Sequence, residues 1–476
     1  MTSPEKIRVG IFAIGLDTYW AQFDGLLDKL LGYHGEICAK LKTFGAEVVD
    51  AGMVDNPVKA RAAADLFRRE DVEIIFLYVS TYALSSTVLP VVQKVGVPVV
   101  VLNLQPVPRL DYEKFNALGD RGAMTGEWLA HCQACSAPEI ACVFNRAHIA
   151  YHLVTGYLHD EIAWREIREW VDAVRVRVVM RNNRVGVLGH YYCGMLDVYS
   201  DLTQHSAAFG NHFEIVEMCE LHRLREAVTA AQVTEKIAQF REEFTVDPAC
   251  SQPELERAAK TSCALDALVA AHRLGSLAYY YEGAPGNDYE NIVTSVIPGN
   301  TLLTAHHVPV AGECEVKNVQ AMKIMDTLGT GGSFSEFYLM DFDDDVVLFG
   351  HDGPAHAAIA ERKVALVPLP VFHGKPGSGL SIQMEVKHGP VTLLSVVQDG
   401  AGALSLLVAE GESVPGPTLQ IGNTNSRYRF PIGARQFVND WCQAGPAHHC
   451  AIGLGHIATE LEKLAALLGM KIVRVC

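Results

Sequence analysis

The first apolar run of this 476-residue chain is not followed by a Gly-x-Gly-x-x-Gly turn, and Gly329-Thr330-Gly331-Gly332-Ser333 lacks the Gly-Lys-Ser/Thr ending of a phosphate loop. Both absences weigh against a nucleotide-binding reading. Basic residues are in deficit: 39 Lys and Arg against 55 Asp and Glu leave a net charge of −16. A general binder of nucleic acid needs the opposite balance, because its affinity rests on neutralising phosphates, so no nucleic-acid partner is expected. No window reaches the roughly 18 uncharged apolar residues of a membrane span, which excludes a helical membrane anchor. Met1-Thr2-Ser3-Pro4-Glu5-Lys6 has no apolar run of a signal peptide. The twelve cysteines lack framework spacing, and Cys132-x-x-Cys135 has no second pair, so it reads as a helix with two reduced thiols. A reducing cytoplasm is the expected compartment. Repeats and low-complexity tracts are also missing.

What remains is an ordinary globular α/β composition, 49% hydrophobic and 20% charged, long enough for two or three domains. Apolar runs at Lys6–Ile14, Glu47–Asp50, Val72–Val79, Val97–Leu104 and Glu139–Phe144 read as strands, with an amphipathic helix over Phe23–Phe44. That rhythm predicts a doubly wound parallel sheet. A second unit starts with the strand Arg184–Gly189 and the loop His190-Tyr191-Tyr192-Cys193-Gly194. Helices at Leu221–Phe244 and Gln252–Leu274, a strand at Leu277–Tyr281 and a helix at Asn318–Leu328 complete it. Gly329-Thr330-Gly331-Gly332-Ser333 reads as an interdomain hinge, and after Gly331-Gly332 the pattern changes. Beyond it, Phe337–Met340, Asp345–Phe349, Val364–Leu369, Leu380–Val386, Val391–Val397 and Leu404–Ala409 follow one another without long helices, with turns such as Gly374-Lys375-Pro376-Gly377. This predicts an antiparallel barrel or sandwich, closed by a helix near Gly453–Leu468 and a strand at Lys471–Val475. The expected fold class is therefore α/β: two doubly wound, Rossmann-like parallel-sheet domains (1–180 and 181–330), then a β-rich, barrel-like domain (331–476).

Four stretches in the last third carry hard metal ligands in apolar or small-residue settings: Ala311-Gly312-Glu313-Cys314-Glu315, Ser333-Phe334-Ser335-Glu336-Phe337, Phe349-Gly350-His351-Asp352-Gly353 and Pro446-Ala447-His448-His449-Cys450. Burying a lone carboxylate is costly unless a cation compensates it. Two Glu and two His form a mixed oxygen and nitrogen set suited to Mn²⁺, Fe²⁺, Co²⁺ or Zn²⁺ rather than to a Ca²⁺ cage. Bland readings compete. Glu315 suits the acidic first turn of the following helix, His351 suits a turn, and His448-His449 suit a helix start. Asn423-Thr424-Asn425-Ser426-Arg427 reads as a polar turn able to meet sugar hydroxyls. Trp20 and His190 lie in strand-end loops where ligands usually sit.

At these four stretches the chain resembles the L-arabinose isomerase/L-fucose isomerase superfamily of metal-dependent aldose–ketose isomerases. Gly15-Leu16-Asp17-Thr18-Tyr19-Trp20, the Gly189–Asp197 loop and Lys387-His388-Gly389-Pro390-Val391 resemble the fucose-type branch. Leu16–Trp20 departs from the arabinose-type wording, and Gly119–Gly122 lacks that type's histidine. The resemblance implies Glu313 and Glu336 as catalytic carboxylates. It implies Glu313, Glu336, His351 and His449 as ligands of Mn²⁺ or another divalent ion such as Co²⁺, Fe²⁺ or Zn²⁺. Trp20, His190, His448, Asn425 and Arg427 are candidate substrate contacts, and whether His448 or His449 binds metal stays open.

The implied reaction moves a proton between C1 and C2 of a sugar through a cis-enediolate, with Glu313 as base at C2 and Glu336 as its partner. The resemblance further implies a trimer or hexamer with a shared active site. The alternatives are an isomerase or epimerase of an anionic or branched sugar, and a non-enzymatic sugar sensor built from paired α/β lobes.

Overall fold

The computed structural model describes residues 7–283, 286–370 and 378–476, so Met1–Lys6 and the turn expected at Gly374–Gly377 lie outside the described residues. The chain divides into two compact units, Met1–Arg175 and Val176–Cys476. The first holds β1 (Ile7–Ile14), β2 (Ala46–Val54), β3 (Ile74–Val79), β4 (Val99–Gln105) and β5 (Tyr151–Tyr157). They pair in parallel in the order β2-β1-β3-β4-β5. Every residue of β3 (Ile-Ile-Phe-Leu-Tyr-Val) is buried, as a central strand covered by helices on both faces requires. Helices at Leu26–Lys42, Pro57–Arg69 and Ser85–Val95 make the crossovers. The second of these begins where Asn56 accepts the Val58 and Lys59 N–H groups and Pro57 takes the first helical position.

One strand expected here is a helix. Glu139–Phe144 falls within the helix Gln133–Arg146, whose buried side chains include Gln133, Ser136, Ala137, Ile140 and Phe144. Those spacings of three and four are helical, and the run Ile-Ala-Cys-Val-Phe is too short to distinguish the two periods by itself. The last strand of the sheet is instead β5.

The second unit contributes β6 (Arg184–Gly189), β7 (His212–Val216), β8 (Thr245–Val246), β9 (Ser276–Tyr280) and β10 (Val310–Ala311). Four of these form a parallel sheet in the order β10-β9-β6-β7. Then come β11 (Gly331–Asp341), β12 (Val346–His351), β13 (Ala365–Leu369), β14 (Gly379–Gln383), β15 (Gly389–Gln398), β16 (Leu404–Val414), β17 (Thr424–Arg429), β18 (His449–Leu454) and β19 (Lys471–Arg474). β15, β18, β11, β12, β17 and β16 pair antiparallel in a ring that the β15–β16 ladder closes, and β19 adds in parallel to β16. The expected class, parallel α/β sheets followed by an antiparallel barrel, is the one observed.

Closure removes the sheet edges and leaves an interior filled by alternate residues, among them Phe349, Leu393, Leu407, Tyr428 and Ile452. Helix Ala434–Gln443 caps this core with Phe437 and Trp441; Phe437 stacks on Phe430 at a centroid distance of 3.5 Å. The helix Val316–Thr327 joins sheet to barrel, packing against β11, β15 and β18. It is buried on all sides, Lys317, Asn318, Gln320, Lys323 and Asp326 included. A helix with no solvent face must satisfy its charged side chains internally: Lys323 pairs with Asp326, and Lys317 pairs with Glu315 at the site described below.

Several boundaries differ from the sequence expectation. The helix expected over Leu221–Phe244 is two, Met218–Glu226 and Ala230–Glu243, because Thr229 and Gln232 form a capping box that starts a new one. In the expected hinge Gly329–Ser333, the residues from Gly331 onward form the bulged start of β11, where the register against β18 shifts between Gly331 and Ser333. Asn423–Arg427 is not a turn, since Thr424 to Arg427 lie in β17 between β12 and β16. The last long helix begins at Ala458, and Gly453 belongs to β18.

Candidate active site

Four of the sequence-selected residues converge where the carboxyl ends of β9 and β10 meet the barrel strands. Glu313 sits in the turn between β10 and the helix Val316–Thr327, and both it and Cys314 hold φ near +56°. Two successive non-glycine residues in the left-handed region cost about 1 kcal/mol or more each. Their neighbours fix that conformation: the Cys314 N–H donates to the Tyr279 carbonyl at 2.9 Å, and the Tyr192 N–H to the Glu313 carbonyl at 3.4 Å. Glu336 lies mid-strand in β11, directly opposite His449 of β18 on one side and Gly350 of β12 on the other. Residues directly opposite in a ladder share a face, so the pairing itself puts carboxylate and imidazole together. Gly350 allows it, since a Cβ there would lie 2.2 Å from the Thr424 carbonyl oxygen and 2.6 Å from the Tyr338 ring.

The hub is Glu313 Oε2. His448 Nε2 stands 3.3 Å from it and His449 Nε2 3.4 Å, while Glu336 Oε2 is 3.9 Å from His448 Nε2. Glu313, His448 and His449 thus offer three ligand atoms within 4.8 Å of one another. His449 is buried, and neither of its ring nitrogens has a hydrogen bond, although Nδ1 faces Glu315 Oε2 at 3.7 Å. A fully buried imidazole aimed at a carboxylate oxygen without bonding it is a good geometric fit to a divalent cation between them. His351, also buried, forms the next layer: its ring centroid is 5.4 Å from that of His449, and Phe334 contacts both rings at 4.4 and 4.3 Å. Gly353 lies against it, where a Cβ would come within 2.6 Å of Nδ1.

Three residues that sequence reasoning missed complete the group. Asp197, in the loop after β6, accepts the His448 backbone N–H at 3.0 Å and faces its Nδ1 at 2.6 Å through the same Oδ2. Burial works against a charge on His448, but its hydrogen bonds to Glu313 and Asp197 and their negative charges outweigh it, raising the imidazole to about 9. Burial likewise pushes the Asp197 carboxyl up, yet the His448 contacts hold it below the usual carboxylate range. Glu315 is fully buried beside Lys317, with Oε1 to Nζ at 3.1 Å, and Lys317 also donates to the Asp197 carbonyl at 2.6 Å. Lys317 therefore ties the carboxylate behind His449 to the loop that holds His448. The sequence signal was there in Glu-x-Lys at a helix start, but an acidic first turn explains it equally well.

The remaining candidates stand elsewhere or are already engaged. His190, after β6, has Nδ1 2.9 Å from the Tyr191 carbonyl and packs on Tyr280 and Tyr281. Asn425 is buried and clasps Leu419 through its side chain, accepting the N–H at 2.8 Å and donating to the carbonyl at 2.9 Å. Arg427 is buried against Asp341, Asp344 and the Pro417 carbonyl. Trp20 belongs to the first unit, where its Nε1–H donates to Asp55 Oδ2 at 2.9 Å. Among the described residues no helix is long and apolar enough to cross a membrane.

Comparison with known proteins agrees with this architecture. Residues 352–475 match the family described as L-fucose isomerase, C-terminal domain. An L-arabinose isomerase of Clostridium beijerinckii is 21% identical over 348 residues, covering 70% of this chain and 68% of that protein. One of Cellvibrio japonicus is 22% identical over 335 residues, covering 67% and 65%. A solved Salmonella D-lactate dehydrogenase overlaps 68% of this chain at 12% identity, but its TM-score of 0.14 leaves it without bearing on the fold. These matches support the arabinose/fucose isomerase superfamily and indicate an enzyme of the aldose–ketose isomerase class. They favour an enzyme over the sugar-sensor reading.

Proposed function

We propose that the protein is a divalent-metal-dependent aldose–ketose isomerase whose reaction is proton transfer between C1 and C2 of a sugar. The observation that carries this reading is the convergence of His448 Nε2 and His449 Nε2 on Glu313 Oε2, at 3.3 and 3.4 Å, with Glu336 alongside. Glu313, Glu336 and His449 would hold the ion, with His351 behind them. Mn²⁺ suits this donor set best, and Co²⁺, Fe²⁺ or Zn²⁺ also fits it. When bound, such an ion supplies Lewis acidity to the two vicinal oxygens of the substrate and offsets the charge that develops there.

The chain's own groups do the proton work. Two carboxylates flanking the C1–C2 bond act as base and acid, each contributing about 10²–10⁴-fold; Glu313 takes the proton at C2 and Glu336 serves as its partner. His448, lying between Glu313 Oε2 and Asp197 Oδ2, fixes the direction of the Glu313 carboxylate. Buried Glu315 backs the His449 ring, and Lys317 joins it to the Asp197 loop that holds His448. His190 and its tyrosine neighbours at the β6 loop offer the aromatic and polar surface that a sugar ring needs. We further read the enzyme as a cytoplasmic homo-oligomer, a trimer or hexamer sharing its sites between subunits, which sedimentation of the intact protein measures directly.

The deciding experiment follows hydrogen exchange at C1 and C2 by NMR in D₂O. It uses a panel of aldoses and ketoses covering each configuration at C2 to C4, with metal-stripped and Mn²⁺-reconstituted protein beside Glu313→Gln. Metal-dependent exchange with ketose formation, lost in the variant, is the expected result. Exchange without aldose–ketose conversion would favour epimerisation of the sugar. Silence from protein that binds no metal would sink the reading.

A further inference from the structure

The first unit holds a second cluster of donors, unconnected with the carboxylates described above. His34 and Cys38 stand four residues apart on the helix Leu26–Lys42, so one helix face presents both, and both are buried. Asp50 of β2 closes the triangle. His34 Nε2 lies 2.7 Å from Asp50 Oδ1, Cys38 Sγ lies 3.5 Å from His34 Nε2, and Cys38 Sγ lies 3.7 Å from Asp50 Oδ2. The sequence analysis passed over all three residues, because each alone is an ordinary buried histidine, a free thiol or a strand-end acid.

The arrangement is not that of a cysteine nucleophile. A Cys–His–Asp relay needs the carboxylate on one ring nitrogen and the thiol on the other. Here both face Nε2, and Nδ1 is buried with no hydrogen-bond partner. Three different donors whose ligand atoms lie within 4.8 Å of one another fit a tridentate ligand set instead. With zinc–sulfur bonds of about 2.3 Å and zinc–nitrogen or zinc–oxygen bonds of about 2.0 Å, tetrahedral edges come to roughly 3.5 Å to sulfur and roughly 3.3 Å between nitrogen and oxygen. The two sulfur edges already lie close to that span. Only the histidine–aspartate edge is shorter, as a hydrogen bond makes it.

The backbone holds the carboxylate in place. The register of β1 against β2 shifts just after Asp50: Ile11 pairs with Asp50, but Ala13 pairs with Met53. The extra residue on β2 is absorbed by a bulge at which Gly52 adopts φ +67°, and its N–H donates to Asp50 Oδ1 at 2.7 Å. Bulges of this kind re-aim a side chain out of the ladder, and this one turns Asp50 toward the helix. The aspartate side chain is 44% exposed, so solvent reaches the cluster from that side.

We propose that His34 Nε2, Cys38 Sγ and Asp50 form a second, sulfur-containing site for a thiophilic divalent ion of the Zn²⁺ class, with water in the fourth position. On binding, the Cys38 thiol gives its proton to solvent and the imidazole proton moves from Nε2 to Nδ1. Thiolate and carboxylate then balance the two charges of the ion. The ion would clamp the helix Leu26–Lys42 to β2. Its donor set separates it from the Glu313 group, whose converging atoms are oxygen and nitrogen alone.

Co²⁺ titration of the intact, metal-stripped chain tests the site, because only a thiolate ligand produces a sulfur-to-cobalt charge-transfer band in the near ultraviolet. The band is expected in the wild type at one equivalent per chain, and Zn²⁺ should displace it. It should survive in Glu313→Gln and vanish in Cys38→Ser and His34→Gln. Should those buried substitutions prevent folding, Asp50→Asn decides, since its exposed side chain can change without opening the core. That variant is expected to shift the band's titration midpoint upward by about tenfold or more. No band in the wild type, or a band unchanged in Asp50→Asn or surviving Cys38→Ser, overturns the proposal.

Discussion

Lys317 and Glu315 show how a single buried ion pair can organise a site. Both are nearly inaccessible to solvent, and their 3.1 Å contact is the main compensation for two charges removed from water. Lys317→Met leaves the Glu315 carboxylate buried without its cation and is expected to cost about 3–5 kcal/mol of stability. Adding Glu315→Gln should recover part of that loss, so denaturant melts of the two single variants and the double should be non-additive. Additive losses would mean that the pair is not coupled. Glu315→Gln alone should also weaken Mn²⁺ binding by about 10–100-fold, through its loss behind His449, as read by calorimetric titration.

A pH effect follows from His205, buried in the helix Leu202–Phe209 with Nε2 2.7 Å from Ser200 Oγ. Burial and the nearby Lys317 charge lower its pKa to about 4 from an ordinary value of 6.5. Between those values the unfolded chain carries a proton that the folded chain refuses, so stability falls as the pH drops from about 6.5 toward 4. The loss over that window is about 3 kcal/mol. Urea midpoints across the window, compared with His205→Gln, check it. The variant should show a shallower acid limb, and equal slopes would refute the assignment.

Among the elements, β11, β12 and β18 matter most, because their ladder partners Glu336, Gly350 and His449 set the geometry of the site. Gly350→Ala has to push β12 away from β17, given the 2.2 Å approach of the added Cβ to the Thr424 carbonyl. The expected outcome is a loss of about 1–3 kcal/mol together with a fall in turnover, measured by thermal unfolding and by C2 exchange. Unchanged stability would show that the strands yield more easily than the packing implies. The turn at Glu313 and Cys314 belongs to the same scale. Its two left-handed residues are held by carbonyls and N–H groups of the Tyr192 and Tyr279 segments, so the site depends on β6 and β9 keeping their spacing.

At the scale of the whole molecule, a bound ion acts by linkage. At a hundredfold excess over its dissociation constant it should stabilise the folded chain by about 2.7 kcal/mol. Mn²⁺ is therefore expected to raise the melting temperature of the wild type and to do so far less for Glu313→Gln, with chelator reversing the gain. An equal rise in both proteins would place the stabilising ion elsewhere.

The order of parallel α/β sheets and then a barrel was written in the sequence, because hydrophobic period is a local property that each segment displays in its own residues. Runs such as Ile74–Val79 and the alternating strands after Gly332 could be read directly. Short apolar runs were not decisive, and Glu139–Phe144 went to a helix once Ala137, Ile140 and Phe144 found a common core. Glu313, Glu336, His351, His448 and His449 were also visible, as ligand types in settings that would not bury them unpaired. Which of them meet was decided only by tertiary structure. Asp197 reaches His448 across 251 residues and Lys317 reaches Asp197 across 120, distances over which no spacing rule operates. The His34, Cys38 and Asp50 cluster is a further case, since helix face and strand bulge each make sense alone and become a ligand set only when packed together. Sequence determines which residues want burial and with what period. Packing determines which polar groups share that burial, because only in the closed core do distant charges lose water together and have to satisfy one another.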